Sequence, residues 1–204
     1  MKEMWNERYS PPEYAYGKRP NIFFAENLNV FANNAHILFA AEGEGRNAVY
    51  AASKGFRVKC FDFSIEAKNK ALTLAKEKGV EIDYEVTDLL SYKAETELFD
   101  GLVLIYAHFP PSNRQLIHRK LQKLLRPGGA FILEAFSKNH LMVSKNNKKT
   151  SGPQNIELLY NTQTLQEDFD EIRFSRAQES IEILDEGPYH QGKSSLIRMI
   201  GKKK

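Results

Sequence analysis

The stretch Ile37-Leu-Phe-Ala-Ala-Glu42-Gly43-Glu-Gly45-Arg46-Asn47-Ala48 constrains this chain more than any other. A short apolar run breaks into two closely spaced glycines and then into an alanine-rich segment, the pattern of a buried strand turning into a helix. Glycines let the backbone turn sharply and approach a ligand with no Cβ in the way, and the helix that follows offers free N–H groups. The same turn also serves as a plain strand-to-helix connection, so its neighbours decide. Asp62 ends the next apolar run, Val58-Lys-Cys-Phe-Asp62, and Asp88 follows the one after it, Ile82-Asp-Tyr-Glu-Val86. A glycine turn and two carboxylates at three successive strand ends line one edge of a parallel sheet, where open α/β folds bind ligands.

Helical and extended patterns alternate from residue 20 onward: helix 20–33, strand 36–41, helix 46–54, strand 57–62, helix 64–78, strand 82–86, strand 99–105, helix 112–125 and strand 130–136. Ser112-Asn-Arg-Gln115 reads as a capping box for the 112–125 helix, and Arg126-Pro-Gly-Gly129 as its stop. A short helix over 162–169 precedes two extended runs, 171–183 and 194–200. The turn formers of 185–192 join them, which predicts an antiparallel pair. The expected fold is a three-layer, doubly wound α/β domain with seven strands, mostly parallel with the last strand antiparallel. Neither a repeat nor a linker divides it, so 1–204 reads as a single domain with a cap segment over 1–33. Residues 137–161 are polar and lysine-rich and follow the fifth strand on the ligand-bearing edge. With little apolar surface to anchor them, they are expected to form a mobile lid.

Charge is nearly balanced, 29 basic against 26 acidic residues for a net of +3, with lysines concentrated in 145–149 and 202–204. Nucleic-acid binders carry a stronger basic stripe, so no nucleic-acid partner is expected. The single cysteine, Cys60, excludes an internal disulfide and fits a buried thiol in a reducing cytosol. No apolar run approaches the roughly 20 residues of a membrane helix, and the start has no signal-peptide core. A soluble cytoplasmic protein is expected. No His/Cys cluster has metal-ligand spacing, so no metal is expected.

Four segments together carry a resemblance: Trp5-Asn-Glu-Arg-Tyr9 with Tyr16-Gly17 and Pro20; Ala41-Glu-Gly-Glu-Gly-Arg-Asn47; His108-Phe-Pro-Pro111 with Leu125-Arg-Pro-Gly-Gly129; and Glu186-Gly-Pro-Tyr-His190. Over essentially its whole length the chain resembles the class I S-adenosylmethionine (SAM) dependent methyltransferases, and within them it is similar to the tellurite-resistance and thiol methyltransferases. The resemblance implies SAM as cofactor and S-adenosylhomocysteine as product. It implies that Ala41, Gly43 and Gly45 pass under the methionine part, that Asp62 binds the ribose hydroxyls with Phe63 against the adenine, and that Asp88 accepts from the adenine amino group while Leu89 lends its backbone N–H. Tyr106 would contact the methionine end. The family's acidic residue at the end of the first strand falls on Phe39 and its first glycine on Ala41, which moves the contact with the methionine ammonium to Glu42. Trp5, Tyr9 and Tyr16 would turn aromatic faces toward the sulfonium, an attraction of about 0.5–2 kcal/mol.

His108 and His190 are candidate catalytic bases near neutral pH, beside the plainer roles of a proline-stiffened loop and an exposed turn. Arg46, the lysines of 145–149 and His190 are the groups that could draw in an anionic acceptor. Gly43-x-Gly45-x-x-Ala48 with Asp62 also fits a dinucleotide-binding fingerprint, and Tyr50-x-x-x-Lys54 a dehydrogenase pair. That pair falls on the helix behind the turn, and Asp88 with the reversed final hairpin favours SAM. The expected activity is methyl transfer to a small-molecule acceptor, a thiol or a chalcogen oxyanion such as tellurite. Methylation of RNA or another macromolecule, and SAM binding without catalysis, are the alternatives.

Overall fold

The computed structural model describes residues 2–93, 96, 98–147 and 151–204. Among them seven strands form one sheet: β1 (His36–Ala40), β2 (Arg57–Asp62), β3 (Asp83–Val86), β4 (Phe99–Ile105), β5 (Leu125–Phe136), β6 (Ile172–Glu186) and β7 (His190–Lys203). Their order is β3-β2-β1-β4-β5-β7-β6, and β7 runs antiparallel between β5 and β6 while the other pairings are parallel. The helices are α1 (Lys2–Tyr9), α2 (Ile22–Glu26), α3 (Arg46–Ser53), α4 (Ile65–Lys78), α5 (Pro111–Leu124), α6 (His140–Val143) and α7 (Thr162–Asp168). The expected α/β architecture with a reversed last strand is present.

The apolar runs are continuous because the strands are covered on both faces. Side chains alternate across the pleat, so Ile37 and Phe39 pack with Phe23, Phe24, Ala48 and Ala71, while Leu38 and Ala40 pack with Ile117, Leu121, Leu165 and Phe169. The sheet is thus the middle of three layers, with α2, α3 and α4 on one side and α5 and α7 on the other. Cys60 is fully buried, which pushes its thiol well above the ordinary range.

Four local expectations are corrected. The 20–33 segment is not one helix: α2 is capped by Asn21, whose side chain accepts from the Phe24 N–H, and ends where the Asn27 amide donates to the Phe23 carbonyl. A 3-10 turn, Leu28–Val30, completes it. The capping box is absent too, since α5 begins at Pro111, with no side-chain cap at Pro110. Arg126-Pro-Gly-Gly129 is a bulge inside β5, because Leu125 already pairs with Phe99 before Ala130 pairs with Gly101. Finally, the hairpin turn is short. Pairing runs out to Glu186 and His190, leaving three residues, and a Cβ on Gly187 would lie 2.5 Å from the Gly17 nitrogen. The hairpin tip therefore rests directly on the backbone of the N-terminal segment.

The 137–161 segment differs most from expectation. Its described residues are docked: Leu159, Tyr160, His140 and Ser151 are each at most 2% exposed. The Tyr160 hydroxyl accepts from the Phe109 N–H and donates to the Ala107 carbonyl, and His140 Nε2 donates to the Ser151 carbonyl. Polar composition concealed these anchors. Lys148 and Lys149, expected to attract an anion, lie outside the described residues. No helix among the described residues is long and apolar enough to cross a membrane, and no group of three or more His, Cys, Asp or Glu there could hold a metal ion.

Candidate active site

The carboxyl ends of β1, β2, β4 and β5 open into a cavity of about 570 Å3. Two of these ends carry non-glycine residues in the left-handed region, Ala41 (φ 54°) after β1 and Tyr106 (φ 56°) after β4. Such backbone costs about 1–3 kcal/mol per residue and clusters where function requires it. The two glycines of the β1 turn do different work. A Cβ on Gly43 would lie 2.7 Å from the Tyr9 hydroxyl oxygen, so this glycine admits α1 to the cavity. A Cβ on Gly45 would lie 2.5 Å from that of Ala71, so this one lets α3 pack on α4.

Two carboxylates stand on the β1–β2 side. Glu42 Oε1 accepts from the Asn47 and Ala48 N–H groups, both at 2.9 Å, the free donors of the first turn of α3. Burial raises its carboxyl to about 7, and those bonds only partly offset it. Asp62 accepts from the N–H groups of Gly43 (3.0 Å) and Ser64 (2.9 Å), and burial raises it as well. Phe63 lines the cavity beside it. Trp5, Tyr9 and Tyr16 cover this side: Trp5 stacks on Tyr9 at 5.4 Å, and Tyr9 meets Tyr16 edge-on at 6.4 Å.

The opposite side is built on buried ion pairs. Arg46 Nη2 donates to Glu186 Oε2 at 2.6 Å, and the Asn21 amide bridges Glu186 to Glu134. Glu134 also accepts from the Tyr106 hydroxyl (2.7 Å) and from Arg198. Burial would raise Glu186, but His190 and Arg46 outweigh it and hold the carboxyl at about 2. The His190 ring lies 4.3 Å from that of Tyr16, 4.4 Å from Tyr106 and 5.3 Å from Phe136. Its Nδ1 is 3.9 Å from Glu186, is buried, and has no hydrogen-bond partner among the described residues. Burial lowers this imidazole to about 4, so it is neutral near pH 7.

The expected residues Trp5, Tyr9, Tyr16, Ala41, Glu42, Arg46, Asp62, Phe63, Tyr106, His108 and His190 all line this cavity. Gly43 and Gly45 shape the turn beneath it. Asp88 and Leu89 are not brought to it: Asp88 is exposed and accepts from the Leu90 N–H, while the Leu89 carbonyl accepts from Lys120. His108 is no base, because both ring nitrogens are committed. Nδ1 donates to the Leu158 carbonyl at 2.6 Å, and Nε2 accepts from the Phe136 N–H. The dehydrogenase pair fails on position, since Tyr50 packs against Phe24 at the back of α3, away from the cavity. Sequence reading missed Glu134, a lone carboxylate in an apolar strand, and the wall formed by Gly152, Pro153 and Leu158.

A family model described as a methyltransferase domain matches residues 37–129, from β1 through the bulge of β5. No curated protein matches the chain. Solved structures of the same fold include one from work on the conversion of a disulfide bond into a thioacetal group during echinomycin biosynthesis. It has a TM-score of 0.74 at 20% identity, covering 100% of this chain and 92% of that one. A SAM-dependent methyltransferase from Methanosarcina mazei gives 0.70 at 19%, covering 86% and 95%. TehB from Haemophilus influenzae gives 0.71 at 14%, covering 100% and 67%. The sheet order and the solved structures give the Rossmann-like class I fold, and within it residues 37–129 match a methyltransferase domain.

Proposed function

We propose that this chain is a SAM-dependent methyltransferase that seats SAM along the β1–β2 side of the cavity and methylates a small-molecule acceptor, a thiol or a chalcogen oxyanion such as tellurite, on the side walled by Tyr106, Phe136 and His190. The observation that carries this reading is that one cavity gathers Asp62, Glu42, the covering aromatics and His190 from five separate segments. The residues present fit the cofactor. Asp62 and Glu42 offer carboxylates for ribose hydroxyls and an ammonium, Phe63 a face for the adenine, and Trp5, Tyr9 and Tyr16 faces for a sulfonium. Asp88 and Leu89 have no part in it.

SAM supplies a methyl group already activated as a sulfonium. The protein's share is to hold the acceptor in line and exclude water, which can contribute about 7–11 kcal/mol. α1 and the 152–158 wall enclose the cavity, which favours a small acceptor over RNA.

The test has two arms. SAM or S-adenosylhomocysteine should raise the melting temperature while NAD and NADP do not. S-Adenosylhomocysteine release should follow from thiols or tellurite but not from small amines, halides or RNA. A shift with NAD alone, or turnover of RNA alone, overturns the reading.

A further inference from the structure

The acceptor side of the cavity has the wrong charges for an oxyanion. Among the described residues two cations line it, Arg8 and Arg46, and both are committed. Arg46 is buried against Glu186 at 2.6 Å and donates its other terminal nitrogen to the Arg19 carbonyl. Arg8 lies over the Tyr189 ring at 4.0 Å and donates to the Tyr16 hydroxyl. Glu42 and Asp62 face the same space. His190 is neutral, so it adds no positive charge. The acceptor wall also carries Tyr106, Phe136, Leu158 and Tyr189, with the polar Gln154 and Asn155 beside them. An oxyanion entering here would lose its hydration and find no unpaired protein cation among the described residues, a cost that apolar walls cannot offset.

Resting on the methyltransferase reading above, we propose that the acceptor is an uncharged apolar thiol, of aromatic or comparable bulk, and not a chalcogen oxyanion. Such a thiol arrives protonated, and the site contains a receiver for that proton. With Nδ1–H turned toward Glu186, the His190 ring keeps a lone pair on Nε2. The methyl carbon passes to the acceptor sulfur, the pair of the broken carbon–sulfur bond returns to the donor sulfur, and the thiol proton passes to His190. The groups that face this imidazole are Glu186 on its own hairpin, Arg46 from α3, Tyr16 from the N-terminal segment and Tyr106 after β4, with His140 of α6 and His108 farther off.

Calorimetry on the full chain saturated with S-adenosylhomocysteine separates the two acceptor classes. Benzyl methyl sulfide, an uncharged product analogue, should bind at least tenfold more tightly than tellurite, and Tyr189→Ala should weaken the sulfide about fivefold. Tyr189 is 41% exposed, so this variant is expected to fold. With benzyl mercaptan and SAM, His190→Gln should lower kcat at neutral pH and recover as the pH approaches the thiol's own ionisation. A purely structural role would show no such recovery. Tellurite binding as tight as the sulfide, or a His190→Gln deficit that does not change with pH, overturns the proposal. Failure of S-adenosylhomocysteine itself to bind would instead overturn the cofactor reading on which it rests.

Discussion

The two sides of the cavity hold their charged groups by different means. On the β1–β2 side each carboxylate is fixed by backbone N–H groups, most of them close in sequence: Glu42 by residues five and six positions on, Asp62 by Ser64 two positions on and by Gly43 of the glycine turn, 19 positions back. On the hairpin side the hydrogen-bonding partners of the carboxylates are distant, with Arg46 and Glu186 separated by 140 positions and Asn21 and Glu134 by 113, and His190 alone lies near Glu186 in sequence. Backbone donors are fixed once the local turn forms. Side-chain ion pairs form only when the whole sheet is assembled. The first side should tolerate single substitutions as a fold and fail as a binding site, whereas the second should fail as a fold.

The largest effect expected is therefore at Glu186. Glu186→Ala strands the Arg46 guanidinium in a buried position, which should cost about 3–5 kcal/mol in urea unfolding. A loss below about 1 kcal/mol would show that the hairpin side is not held by this pair. Asp62→Ala should act on the other axis. It should leave the unfolding midpoint near wild type yet weaken SAM at least tenfold by calorimetry, because charge-assisted bonds are worth about 1.5–3 kcal/mol each. Unchanged affinity would remove Asp62 from the cofactor seat.

Glu42 titrates with the opposite sign to His190 and Glu186. His190 is lowered from 6.5 to about 4, so the unfolded chain takes up a proton first and stability falls as pH drops through that window. Glu186, lowered from 4.5 to about 2, adds a further loss over that lower window. Glu42, raised from 4.5 to about 7, does the reverse, and stability falls as pH rises from 4.5 to 7. Glu42→Gln should thus gain stability relative to wild type at pH 8 compared with pH 5, and chemical denaturation at the two values checks it. The smallest effect is expected at Ala41. Ala41→Gly relieves the left-handed backbone and should stabilise by about 0.5–1 kcal/mol. A destabilised variant would mean that the methyl group packs usefully against the turn.

The same contrast explains what could be read in advance. Strands β1, β2 and β4 announced themselves as short apolar runs, and Asp62 could be placed because a strand end followed by an Ile65–Lys78 helix is a local pattern. Asp88 looked equivalent, but the chain turns there to cap its own Leu90 N–H, a choice that no spacing reveals. Glu134 and Asn21 meet only through the fold. In the 137–161 segment two residues, Leu159 and Tyr160, outweigh a polar composition, because one buried aromatic hydroxyl can staple two loops. Local rules also misplaced the start of α5, where Pro111 at the first helical position displaced the capping box.

The placement of β7 bears on how the protein is made. Synthesis delivers β6 before β7, yet β6 touches the sheet only through β7. While the chain emerges at about 5–20 residues per second, β5 presents an open edge and β6 has no strand to join. Glu186 and His190 reach the cavity only when the final strand slides into the gap between them. A nascent chain halted in that strand would carry a finished glycine turn and an unfinished acceptor wall, with an apolar edge exposed to chaperones or to another nascent copy.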